Sequence, residues 1–290
     1  MNRRNLLKGA AAVAAALVFN PAFAVDAAEE AATTRLAALE RQHGGRLGVA
    51  MLDTGNGRRV GHRADERFLM CSTFKLLAVA AVLARVDHGV ERLGRRIVFG
   101  QDALLAYAPV TSHRVGAPGM TVAELCEAAI TVSDNTAANL LLASLGGPAA
   151  VTAYVRSLGD DATRLDRIEP ELNVASPGDL RDTTTPSSML ADLHTLLLGN
   201  ALSAASREQL ATWLCATSTG LEQLRAGMPA GWRVGDKTGS GAQRETNDVA
   251  IIWPPQRKPL LVTAYYAGST IEADERHAVL AEVGRIAASI

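Results

Sequence analysis

Residues that favour β-strand stand at both ends of this chain, with a long helix-favouring stretch between them, and no other feature restricts the possible folds as tightly. Near the start, Arg46 to Asp53 and Arg58 to His62 flank Thr54-Gly55-Asn56-Gly57, where Asn-Gly is a tight-turn signal, so the pair reads as a hairpin. Near the end, Arg233 to Thr238, Asp248 to Trp253 and Leu260 to Tyr266 read as strands. Between them Phe74 to Arg85, Val122 to Ile130, Thr136 to Leu145, Ala149 to Leu158, Ser187 to Leu198 and Ser206 to Ala216 favour helix. Two outer helices complete the pattern: Ala27 to His43, stopped by Gly44-Gly45, and about Asp274 to Ser289. Strands at both ends need a common sheet. The expected fold is therefore α/β of the α+β type: one antiparallel sheet built from the two chain ends, flanking helices, and an inserted all-helical lobe. Residues of about 25–70 and 217–290 would form the α/β lobe, those of about 71–216 the helical lobe, and a cleft would lie at their junction.

With 48% apolar and 20% charged residues, a chain of 290 residues can bury a large core, and disorder is not the reading. The first residues read as an export signal: Arg3, Arg4 and Lys8, an apolar stretch from Gly9 to Phe19, and a small-x-small site at Ala22-Phe23-Ala24. Arg3-Arg4-Asn5-Leu6-Leu7-Lys8 resembles a twin-arginine signal, a route for cargo folded before transport and leading to the periplasm. An ordinary secretory start that happens to hold two arginines is the alternative. Cleavage after Ala24 removes three cations and moves the formal charge from −1 to −4. That balance gives no support to nucleic-acid binding or to stable membrane association of the mature chain.

Cys71, Cys126 and Cys215 cannot all pair within one chain and lack Cys-x-x-Cys spacing. The six histidines give no His-Glu-x-x-His, so neither a disulfide framework nor a clustered metal site is expected.

Four short segments carry the chemistry: Ser72-Thr73-Phe74-Lys75, Ser133-Asp134-Asn135, Glu169-Pro170-Glu171-Leu172-Asn173 and Lys237-Thr238-Gly239. Ser72 and Lys75 sit three apart at a helix start, on one face and within proton-exchange reach. A serine becomes nucleophilic when a neighbouring base takes its proton, and helix-start N–H groups can hold developing negative charge. Each segment also has a plainer reading: Ser72 or Ser133-Asp134 as helix caps, Lys237 as an edge-strand guard, Glu169 as one more solvated carboxylate. Their combination in this order shifts the balance. The loop from Leu165 to Pro186 is longer than ordinary connections, as functional loops often are.

Ser-x-x-Lys, Ser-Asp-Asn and Lys-Thr-Gly are the signature of class A β-lactamases and penicillin-binding proteins, and this sequence closely resembles a class A serine β-lactamase. The resemblance spans essentially the whole mature chain, including Arg164-Leu165-Asp166-Arg167 and Arg181-Asp182-Thr183-Thr184-Thr185-Pro186. It implies hydrolysis of β-lactam antibiotics, and so resistance, with Ser72 as nucleophile and no metal or organic cofactor. Lys75 and Glu169 contend for the acylation base, whereas Glu169 would activate water for deacylation, with Asn173 helping to hold that water. Ser133 would pass a proton to the lactam nitrogen, supported by Lys237. Asn135 would meet the substrate amide, Thr238 and Ser240 its carboxylate, and Tyr107 would wall the cleft. The backbone N–H groups of Ser72 and Ser240 would form the oxyanion hole. Glu169-Pro170 resembles the family's cis peptide, and Arg167 with Asp182 would close the loop as an exposed pair worth about 0–1 kcal/mol.

The pattern departs from the family in two places. Val79 stands where a partner for Cys126 would be, and Gly241 where a partner for Cys71 would be. Gln223, Thr246 and His277 occupy the three positions from which relatives supply an arginine for the substrate carboxylate. The competing functions are a penicillin-binding peptidase and a non-catalytic β-lactam sensor, both of which would keep the acyl group; Glu169 with Asn173 argues against them. A monomer acting on a small molecule is expected.

Overall fold

The computed structural model describes residues 21–174, 176 and 178–290, so most of the expected export signal lies outside the described residues. Helix α1 (Pro21–His43) leads into the hairpin of β1 (Arg46–Asp53) and β2 (Arg59–His62), followed by the short β3 (Phe68–Leu69). The helical middle holds α2 (Phe74–Asp87), a two-residue ribbon of β4 (Arg96–Ile97) with β5 (Met120–Thr121), then α3 (Val122–Thr131), α4 (Asn135–Leu145) and α5 (Pro148–Ser157). After a long loop come β6 (Thr183–Thr184), α6 (Pro186–Leu197) and α7 (Ala204–Cys215). Strands β7 (Arg233–Ser240), β8 (Thr246–Trp253) and β9 (Leu260–Ala267) and helix α8 (Ala273–Ala288) end the chain.

The main sheet runs β2-β1-β9-β8-β7, every pair antiparallel. Its centre is the junction of the two chain ends, where Arg46 pairs with Ala267 and Asp53 with Leu260. The expected sheet from both termini is what forms. Strand β8 shows why it must be covered on both faces: Val249 and Ile251 point into one core, Ala250 and Ile252 into another, the two-residue alternation of a strand. One core packs α1 and α8 through Leu36, Val283 and Ile286; the other packs the helical middle through Phe74, Leu77, Met189 and Leu214.

Helix α1 begins at Pro21, six residues before the expected Ala27, while the other helix boundaries fall within two residues of expectation, with caps behind several of the shifts. Ser203 accepts a hydrogen bond from Ser206 N and starts α7 two residues early. Thr185 caps α6 with Pro186 as its first residue, where a missing N–H has no cost. Helix α2 is unusual in being buried from Phe74 to Ala84 without interruption. A helix apolar all round belongs inside a core, so Lys75, the one charged residue in that run, has no route to solvent along its own helix.

Candidate active site

The turn that carries Ser72 is fixed from four sides. Cys71–Thr73 forms a 3-10 turn leading into α2, entered through Cys71 at φ +47°, a left-handed conformation that costs a non-glycine residue about 1–3 kcal/mol. Asn247 of β8 holds it by donating through Nδ2 to Leu69 O and Met70 O at 2.9 and 3.2 Å. Thr73 Oγ1 donates to Met70 O at 2.8 Å, and Met70 N donates to Asp182 O at 2.9 Å. Strand β7 completes the enclosure: a Cβ on Gly239 would lie 2.8 Å from Met70 O and 3.2 Å from Ser72 N, so only glycine permits this approach. Ser72 makes no cap bond, and neither does Thr73; the capping alternative for Ser72 does not hold.

Ser133 and Asn135 are presented by the residue between them. Asp134 is fully buried and caps α4, accepting from Ala137 N at 2.9 Å, from Val110 N and Thr111 N at 3.0 and 2.9 Å, and from Thr111 Oγ1. It is Asp134, not Ser133, that performs the capping. Ser133 stands at φ +57°, a second left-handed residue beside the reacting centre.

Lys75 is the hub. Its Nζ donates to Ser72 Oγ at 3.0 Å, to Ser133 O and Oγ at 2.8 and 3.2 Å, and to Asn135 Oδ1 at 2.6 Å. It also lies 3.1 Å from Glu169 Oε1, with both side chains wholly buried. Ser72 Oγ donates to that same carboxylate oxygen at 3.3 Å. Burial pushes Lys75 below its ordinary pKa, against the pull of Glu169. Lys237 donates to Ser133 Oγ at 3.2 Å and to Thr238 O at 2.8 Å. Burial first, and the like charge of Lys75 second, bring Lys237 down to about 7. Lys237 is fully buried, which overturns its reading as a solvated guard on an edge strand.

Glu169 is placed by its backbone as much as by its side chain. Asn139 of α4 brackets it, accepting from Glu169 N at 3.0 Å and donating to Glu169 O at 2.9 Å. Asn173 Nδ2 donates to Glu169 Oε2, and the Glu169-Pro170 peptide is cis as expected. At the base of the loop Arg167 Nε lies 2.5 Å from Asp182 Oδ2. Asp182 Oδ1 also accepts from Asp166 N and Arg167 N at 2.7 and 2.9 Å. The pair is not the exposed one expected from sequence: Asp182, the residue before β6, is fully buried.

A cleft of about 380 Å³ lies over this floor. Ser72, Tyr107, Ser133, Asn135, Asn173, Thr238 and Ser240 line it, while Lys75, Glu169 and Lys237 sit beneath. A larger cavity of about 640 Å³ between Arg46, Arg67, Asp179 and Glu245 holds no such nucleophile and base pair. The expected site residues are thus brought together. The positioning roles of Asn139 and Asn247 were not legible, nor was Thr219, whose Oγ1 lies 2.6 Å from Thr238 Oγ1 on the cleft wall. Gln223 and His277 also line the cleft. Neither neighbouring arginine fills the missing role: Arg225 pairs with Asp236, and Arg244 Nη1 donates to Thr270 O at 2.7 Å. All three cysteines are free, and a Cβ on Gly241 would stand 2.9 Å from Cys71 Sγ. Among the described residues no single helix is long and apolar enough to cross a membrane.

A sequence model described as the β-lactamase enzyme family matches residues 31–290. A model of the twin-arginine translocation pathway signal matches residues 1–19, which supports export to the periplasm by that route. The chain is 51% identical over 263 residues to β-lactamase L2 of Stenotrophomonas maltophilia, covering 90% of this chain and 86% of that one. It is 51% identical over 255 residues to β-lactamase AST-1 of Nocardia asteroides, covering 88% and 82%. The solved structure of an ancestral class A β-lactamase superposes with a TM-score of 0.86 at 65% identity, covering 88% of this chain and 98% of that one.

Proposed function

This chain belongs to the β-lactamase enzyme family as a class A enzyme that hydrolyses β-lactams, and from that premise we propose that it opens penicillins and cephalosporins through a serine acyl-enzyme. The observation that carries the mechanism is the convergence of Lys75 Nζ on Ser72 Oγ, Ser133 Oγ and Glu169 Oε1.

Ser72 attacks the lactam carbonyl, and the oxyanion is held by the Ser72 and Ser240 backbone N–H groups. In the resting arrangement Lys75 donates to Ser72 while Ser72 donates to Glu169. Ser72 Oγ thus stands within reach of both Lys75 and Glu169, and because the two lie 3.1 Å apart and can exchange a proton, either can take the Ser72 proton in acylation. Ser133, between the two lysines, passes a proton to the departing nitrogen. Glu169, aligned by Asn173 and Asn139, then activates water to release the product. Lys237, Thr238, Thr219 and Ser240 receive the substrate carboxylate, Asn135 and Tyr107 its side chain. The enzyme works as a monomer without stable membrane association.

The test is turnover of a chromogenic cephalosporin by purified protein beside Ser72→Ala. Continuous hydrolysis that vanishes in the variant is expected. A single stoichiometric burst would instead assign the chain to the acylated peptidases or sensors.

A further inference from the structure

We propose that Glu222, Asp274 and His277 form a site for one divalent transition-metal ion, Zn²⁺ by ligand chemistry, on the rim of the cleft. Asp274 and His277 are three apart in the first turns of α8, and so share a face. Glu222 comes from the separate segment after α7. One donor atom from each lies within 4.8 Å of the other two, and His277 Nδ1 stands 3.4 Å from Glu222 Oε2. Ligands about 2.0–2.2 Å from a tetrahedral Zn²⁺ lie roughly 3.3–3.6 Å from one another, so that edge already has the right length.

Charge points the same way. Among the described residues no lysine or arginine pairs with Glu222 or Asp274, because the nearby Arg276 donates instead to Thr246 Oγ1 at 3.0 Å and to Ile271 O. Two carboxylates with no lysine or arginine partner, beside an imidazole, make an oxygen-and-nitrogen donor set suited to a borderline dication. Three protein ligands leave a fourth position for water. Beside this set Gln223, next in chain to Glu222, is 3% exposed, lines the cleft together with His277, and has an Oε1 with no hydrogen-bond donor.

The location gives the ion a role. His277 and Gln223 wall the same cleft as Thr238 and Ser240, at the end where no arginine reaches in. A bound dication supplies positive charge there and lowers KM for a β-lactam bearing a carboxylate. That kinetic consequence rests on the function proposed above; the binding site does not.

Isothermal titration of tag-free, chelator-treated protein with Zn²⁺ tests the site without using turnover. One saturable equivalent is expected, weakened in His277→Ala and in Asp274→Asn by at least the 10- to 100-fold that loss of even an outer-shell partner causes. Cys215→Ser, which removes the most accessible thiol, should change nothing. Absence of saturable binding, or equal affinity in wild type and His277→Ala, overturns the proposal. In kinetics, Zn²⁺ should lower KM for wild type and leave Glu222→Gln unaffected; an unchanged wild-type KM despite confirmed binding overturns the proposed role.

Discussion

Among the buried ionisable groups of the described residues, two clusters meet burial in opposite ways. Under the cleft, Lys75 and Lys237 are enclosed with Glu169 and bridged by Ser133. On the far side of the loop's base, Asp160 and Asp192 are enclosed with each other. The first cluster mixes signs, so Glu169 opposes the desolvation that lowers Lys75, and protons can move between neighbours. The second holds two acids. Burial first, and the Asp160 charge second, push Asp192 up to about 9, and Oδ2 of each acid lacks a donor, which one shared proton satisfies. That pair works as a neutral-plus-anion strut, with Asp160 Oδ1 accepting from Ala162 N and Thr163 N at 2.7 and 3.0 Å where the chain enters the loop. Mixed signs keep buried groups reactive; like signs make them structural.

The most severe way to break the contrast is to remove the anion from the mixed cluster. Glu169→Gln should still acylate, but deacylation should slow by about 10² to 10⁴, or roughly 3–5.5 kcal/mol of barrier. Intact-protein mass spectrometry would show a persistent adduct, and its rapid clearance would refute the role. Asp182 is an intermediate case, a lone buried carboxylate with one half-buried cation. Asp182→Ala removes the carboxylate from Arg167 Nε, whose Nη2 keeps only Val174 O, and leaves two backbone N–H groups without their acceptor, at a cost of about 1–3 kcal/mol in urea unfolding.

The pH responses of the two clusters should have opposite signs. Lys237, at about 7 when folded against an ordinary 10.5, binds its proton more tightly in the unfolded chain, so its contribution makes stability rise with pH from about 7 to 10.5. In the free enzyme the same deprotonation removes a cation from the carboxylate end. We expect kcat/KM to fall as pH rises through about 7, by at most about tenfold per pH unit. Asp192 is raised from 3.8 to about 9, so its contribution is complete below 3.8 and is lost as pH climbs towards 9. Asp192→Asn, which keeps a donor to Asp160, should flatten that slope and gain about 1–2 kcal/mol at pH 8, read as urea midpoints across pH. A variant that tracks wild type at every pH would dissolve the contrast.

How much could be read in advance follows from the range of each interaction. Ser72 with Lys75 was legible because a three-residue spacing is a local property of a helix start, and the sheet because strand signals at both ends have few ways to be satisfied. Lys75 meets Ser133 58 residues away and Ser72 meets Glu169 97 away; those meetings were inferred from resemblance, not from spacing. Asn139 and Asn247 escaped notice because an asparagine that grips a distant backbone looks like any other in sequence. Asp182 was misjudged because a carboxylate next to arginines suggests solvent, whereas in the fold it is fully buried and accepts from Asp166 N and Arg167 N. The histidine spacing likewise said nothing about His277, whose neighbours Glu222 and Asp274 are set by how α8 packs.

The pairing of β1 with β9 orders events in time. Arg46 waits for Ala267, so while the ribosome is still making the middle of the chain, β1 has only its hairpin partner, and contacts of such long sequence separation form late. Because strands β7 to β9 also wall in Ser72, a newborn chain cannot attack an antibiotic until synthesis has nearly ended. A translocase that accepts finished molecules suits such a chain, since a threaded, unfolded passage would separate the two halves of the sheet again.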